Sequence, residues 1–127
     1  MLTTPTVPVS WGELLDKLTI LAIKRARIAS PAALANVARE QEALAPIAAP
    51  ALAVDDVAAL VADLTRVNEA LWAIEDDIRA EDAAGRFGDA FVALARAVYR
   101  TNDERAAIKR RINDLLGSDL VEEKSYA

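Results

Sequence analysis

Cations, carboxylates, amides and aromatic rings recur at helical spacing in this 127-residue chain, and they are the groups that could do chemistry in it. Thr65, Asn68, Trp72, Glu75 and Arg79 fall three or four residues apart, which places them on one helix face. Tyr99, Asn102, Lys109 and Asn113 form a similar stripe, while Thr101 and Arg105 interrupt the apolar positions beside it. An earlier stretch adds Glu13, Lys17 and Lys24 on one face, with Asp16 next to it. Donors beside aromatic rings suit an anion with a planar or sugar part. Arg105, Lys17 and Lys24 would hold its charge, Trp72 and Tyr99 would stack or pack, and Glu75, Asn68 and Asn102 would orient it. The candidate ligand-binding set is therefore Glu13, Asp16, Lys17, Lys24, Asn68, Trp72, Glu75, Arg79, Tyr99, Asn102, Arg105 and Lys109.

Other chemistries are harder to build. The chain has no cysteine and no histidine, which removes thiol nucleophiles, sulfur metal sites and the usual neutral-pH base. Any catalysis would fall to Asp, Glu, Lys, Tyr or Arg, and no catalytic residue is assigned. Glu75-Asp76-Asp77 with Glu81-Asp82 could offer oxygen ligands to Mg²⁺, as in helical nucleotide hydrolases, with Glu75 and Asp76 the candidates. Consecutive helical residues point apart, so neither a metal nor a cofactor is expected. A net charge of -5 opposes non-specific nucleic-acid binding. The basic clusters Lys24-Arg25-Arg27 and Lys109-Arg110-Arg111 sit late in their helices, where cations favour the macrodipole. There is also a plainer reading of the polar residues: Glu75-Arg79 and Glu13-Lys17 as solvated pairs four residues apart, and Thr101-Arg105 as a buried register pin.

These groups must be positioned by helices. Alanine carries much of the 54% hydrophobic content and aromatics are only 5%, which suits closely packed helices. Residues 1–9, with Pro5 and Pro8, read as an extended lead-in able to pair as an edge strand. Ser10-Trp11-Gly12-Glu13 matches a capping box and starts helix 1, which runs to about residue 29. Helix 1 is apolar on more than one face, so it is either central in the fold or covered by a second copy, and a homodimer through it is expected. Ser30-Pro31 restarts the chain as helix 2, ended near residue 45 by Pro46 and Pro50, which mark the longest loop. Asp55 caps helix 3, whose seam is Val57, Leu60, Leu64, Val67, Leu71, Ile74 and Ile78. Gly85 and Gly88 supply a turn, Asp89 caps helix 4, and its seam is Phe91, Leu94, Val98, Ile108, Ile112 and Leu115.

The pattern predicts an all-α protein: an antiparallel four-helix bundle with a long hairpin of helices 3 and 4 and an extended lead-in. It forms one domain over residues 1–127, with 118–127 a charged tail. Counting outward from the hairpin turn places Arg105 opposite Val67 and Asn68, so a polar cluster inside the bundle follows. No apolar run approaches the roughly 20 residues needed to span a bilayer. With no basic stretch ahead of an apolar one at the N-terminus, the cytoplasm is the expected compartment.

Several stretches are distinctive: Val7-Pro8-Val9-Ser10-Trp11-Gly12-Glu13 followed by Asp16-Lys17-Leu18-Thr19-Ile20-Leu21, then Leu71-Trp72-Ala73-Ile74-Glu75-Asp76-Asp77-Ile78-Arg79, Tyr99-Arg100-Thr101-Asn102-Asp103 and Glu122-Glu123-Lys124-Ser125-Tyr126. Together they resemble DUF6165, a bacterial family of uncharacterised small proteins, over nearly the whole chain. That resemblance supplies motif positions without roles and implies a surface-glycan setting, in which a phosphorylated or sugar-nucleotide ligand or a protein partner would fit. Lys24-Arg25-Ala26-Arg27 and Arg39-Glu40 look like parts of the cationic site of helical chorismate mutases, but Ser30-Pro31 breaks what is one long helix there. The functional expectation is a helical binding or accessory protein. The alternatives are an all-α enzyme, either a Mg²⁺-dependent nucleotide hydrolase or a mutase, and a purely structural interaction module.

Overall fold

The computed structural model describes residues 1–126, which form α1 (Trp11–Arg27), α2 (Pro31–Leu52), α3 (Val57–Ala83) and α4 (Asp89–Leu116) with no strand among them. Ala127, the end of the expected tail, lies outside the described residues. Each helix follows from its local chemistry. At α1 the Glu13 N–H donates to Ser10 Oγ at 3.1 Å, one half of the capping box. The other half is absent, because the Glu13 carboxylate accepts from Lys109 instead. At α2 the Ala33 N–H donates to Ser30 Oγ at 3.4 Å, with Pro31 in the first turn.

The largest departure from the sequence pattern is α2, which continues through Pro46 and Pro50 to Leu52. Each proline forfeits one helical hydrogen bond. Their spacing of four puts both defects on one side of the helix, where Glu42, Pro46 and Pro50 are all exposed. The opposite side buries Ala48 and Ala51, and this packing holds the helix across both defects. Residues expected to be the longest loop are therefore helical, and the chain reverses within 53–56.

Smaller differences have equally local causes. Asp56, not Asp55, precedes α3, and it sits in a left-handed conformation (φ 73°) without a side-chain capping bond. Asp tolerates that region better than most residues. Gly88 occupies the cap position of α4, and Asp89 lies inside its first turn. Leu115 is exposed while Leu116 packs on the core, since both lie within three or four residues of Ile112 and only one can face inward. The lead-in pairs with no strand, there being no sheet edge among the described residues to receive it.

The core lies at one end, where α1 and α3 begin and α2 and α4 finish. Leu14, Leu15, Ala48, Val57, Leu64, Val67, Ile108 and Ile112 form it, with Trp11, Leu18, Leu44, Leu60, Val61, Leu71 and Leu116 packed around them. Burying one such side chain contributes about 1.5–3 kcal/mol. α1 touches all three other helices, so the second apolar face that pointed to a partner copy is largely covered within the chain, with Ile23 buried and Ile20 half-buried. Among the described residues none after Asn68 in α3, and none before Ile108 in α4, is buried. The 17-residue α1 spans about 25 Å against about 40 Å for the 27-residue α3, so the far part of the hairpin runs past it.

Candidate functional site

The polar cluster is built where α1 crosses the hairpin. Asp16 is 0% exposed, and an isolated carboxylate there would be prohibitively costly. Arg105 supplies its counter-charge: Nε donates to Asp16 Oδ1 at 2.9 Å and Oδ2 at 3.1 Å, and Nη2 donates to Oδ2 as well. Asn68 Nδ2 donates to Oδ1 at 2.9 Å. The hydrogen bonds to Asp16, and then its charge, raise the Arg105 pKa above its ordinary value despite burial. Arg105 and Asn68 do come together, as counting from the turn predicts, and what joins them is the α1 carboxylate.

A second set lies one turn further along α4. Lys109 Nζ donates to Glu13 Oε2 at 2.6 Å and to Glu122 Oε2 at 3.0 Å, with Asp16 Oδ2 at 3.9 Å. Burial alone would lower the Lys109 pKa, but the hydrogen bonds to Glu13 and Glu122 and the charge of Asp16 outweigh it, and the net direction is upward.

Close packing of backbone on backbone makes this register attainable. The Gly12 N–H donates to Asn113 Oδ1 at 2.7 Å, and the Trp11 N–H to Ser118 Oγ at 3.3 Å. The free donors that start α1 are thus satisfied by Ser10, Asn113 and Ser118. A Cβ on Gly12 would lie 2.6 Å from the Lys109 carbonyl oxygen, so only glycine lets α4 approach this closely. Asn113, Ser118 and Glu122 fall outside the candidate set drawn from the sequence. Their signal was a glycine in the first turn of a helix, a costly choice unless another backbone must come near.

A groove of about 420 Å³ opens on the far side of Arg105. Ile20 and Ile23 of α1 line it, with Asn68, Leu71, Trp72, Glu75, Asp76 and Arg79 of α3 and Asn102 and Arg105 of α4. Arg105 Nη1 leans on Asn102 Oδ1 at 3.4 Å. The Arg27 guanidinium stands 5.8 Å from the centre of the Trp72 ring, within cation–π range. Glu75 accepts from Arg79 Nε at 3.2 Å in an exposed pair four residues apart. Glu75 and Asp76 are not part of any cluster of three or more metal-ligating side chains among the described residues.

Other candidates lie apart. Lys17 is exposed and pairs with Glu40 of α2 at 2.7 Å, so it does not join Arg105. Lys24 is half-buried on α1 and does not line the groove. Tyr99 is exposed and borders a different cavity, between α4 and the C-terminal tail.

The model for a family of unknown function, DUF6165, matches residues 6–127. The chain belongs to the DUF6165 family. The match begins ahead of the α1 cap and continues through the tail, so it takes in both the buried cluster and the groove. No curated protein and no solved structure matches the chain. Nor is any helix among the described residues long and apolar enough to cross a membrane.

Proposed function

We propose that this DUF6165 protein is a binding or accessory protein whose groove between α1, α3 and α4 receives an anionic small molecule with a planar or sugar part. One observation carries the reading: Arg105 is fixed by the buried Asp16 and still lines the groove that Trp72 walls. A guanidinium has five N–H donors, and those not spent on Asp16 and Asn102 remain for a ligand oxygen. Trp72, Ile20 and Ile23 offer the apolar surface against which a base or sugar would rest. Sugar nucleotides and phosphorylated metabolites combine these features.

A thermal-shift and calorimetric screen against nucleotides, sugar nucleotides, phosphorylated metabolites and divalent cations tests this. A ligand at about 100 times its Kd stabilises the native state by about 2.7 kcal/mol, a rise of several degrees in Tm. The rise should vanish in Trp72→Ala and Asn102→Ala, substitutions that leave the Asp16–Arg105 pair intact. If instead Mg²⁺ stabilises the chain and Glu75→Ala with Asp76→Ala removes the effect, a metal-dependent enzyme replaces this reading.

A second reading has its own support. No buried side-chain N or O among the described residues lacks a partner, which is what a network that only sets helix register requires. Silence across the whole screen would favour it. Self-association stays part of the proposal, through the exposed Phe87, Val92 and Tyr99 of the hairpin in place of the expected α1 face, and sedimentation showing a monomer at micromolar concentration would remove it.

A further inference from the structure

The groove leaves one distinctive stretch without a role, Glu122-Glu123-Lys124-Ser125-Tyr126, and the path of the chain after α4 supplies one. Gly117 ends the helix in a left-handed conformation (φ 62°), and Ser118 Oγ then donates to the Leu120 carbonyl at 2.8 Å. From there the chain turns back along α4. Glu122 accepts from Lys109 at 3.0 Å, Glu123 accepts from Arg110 Nη2 at 3.2 Å, and Lys124 Nζ reaches Asp103 at 3.1 Å, nearly two turns further back. Little apolar burial accompanies these contacts, since Leu120 and Val121 remain exposed. The segment also stands off the helix. Adjoining cavities of about 430 and 690 Å³ lie beneath it, both bordered by Asp103, Glu122, Glu123, Lys124 and Tyr126.

The outer pairs, Arg110–Glu123 and Lys124–Asp103, are exposed or half-exposed, and such pairs contribute little each and are screened by salt, while the buried Lys109 keeps Glu13 and Asp16 as partners when Glu122 leaves, so the segment is weakly held. We propose that residues 120–126 are a releasable strap, an ionic clasp that closes a polar cavity on the outer face of α4 and opens when its charges are screened. Asn102 lines both this cavity and the groove, so an open strap would also bare one flank of the groove. That consequence rests on the groove reading, whereas the strap itself does not.

Backbone ¹⁵N relaxation on the full chain, without ligand, tests the strap alone. At about 0.01 M salt, where the Debye length is about 30 Å and charges are little screened, residues 121–125 should show order parameters near those of the helices. At about 1 M salt they should fall below about 0.6, with the amides of α1 to α4 unchanged. The double variant Glu122→Gln, Glu123→Gln should show the same loss already at low salt. A segment that is mobile in the parent chain at low salt overturns the proposal. So does one that stays ordered in both the variant and high salt, since something other than charge would then hold it.

Discussion

The two ends of the molecule share the same helices and differ in what lies between them. Where α1 starts and α4 finishes, charge is buried and closely partnered: Asp16 by Arg105 and Asn68, Lys109 by Glu13 and Glu122, the Gly12 amide by Asn113. Where α1 ends and the hairpin continues, Trp72, Glu75 and Arg79 stand around an open groove, and their contacts are solvated. A buried charge such as Asp16 cannot be changed alone, because its removal strands Arg105. Exposed ones can, which leaves that end free to be shaped by what it binds.

Arg105→Leu is the substitution expected to strike hardest. It strands the Asp16 carboxylate and should cost about 3–5 kcal/mol in urea denaturation, with the double variant Asp16→Leu, Arg105→Leu recovering much of the loss. An unaffected single variant would mean that the two ends do not differ in this way. Leu64→Ala, in the core, should cost about 2–5 kcal/mol. Ile74→Ala on the half-buried hairpin should cost only about 1–2 kcal/mol, and equal losses would erase the contrast. Gly12→Ala drives a methyl group against the Lys109 carbonyl and should destabilise by about 1–3 kcal/mol. Gly88→Ala, with nothing within 4 Å of the added carbon, should change stability by less than about 1 kcal/mol.

The smallest effect expected is the pH response of the tail. The hydrogen bond from Lys109, then its charge, lowers the Glu122 pKa below the ordinary 4.5. The stabilisation from this contact is therefore complete above about pH 4.5 and is lost as pH falls through the depressed folded value. Lys109 is raised above 10.5, so its share is complete below that pH and lost as pH rises through the raised value. Between these limits the contact is constant with pH. Lys109, Glu13, Arg105 and Arg110 all face the Glu122 region, and a carboxyl titration by NMR in their presence should give a midpoint under 4.5. A midpoint at or above that value would show that the clasp is not formed in solution.

Local rules carried far in this chain. The Ser10 and Ser30 caps, the Gly85–Gly88 turn and the seam of α3 were legible because each depends on neighbours within a turn or two. The continuation of α2 through Pro46 and Pro50 was not, since what holds it is burial of Ala48 and Ala51 against residues far away in sequence. In the candidate site, the meeting of Arg105 with Asn68 followed from counting along an antiparallel pair. The turning of Lys17 toward Glu40, and of Tyr99 toward the tail, did not, because position around a helix leaves open which neighbour each face meets.

The sequence by itself determined that this is an all-helical chain, where most of its helices begin, and that charge must enter the interior at Arg105. Those are consequences of composition, periodicity and capping, all of short range. Only the tertiary structure decided that Asp16 is the carboxylate that receives Arg105, that Gly12 exists to let α4 approach, and that the acidic tail closes on Lys109 and Arg110. Each of those joins residues about 10 to 100 positions apart, and which of several similar charges becomes the partner is set by the packing that brings the backbones together.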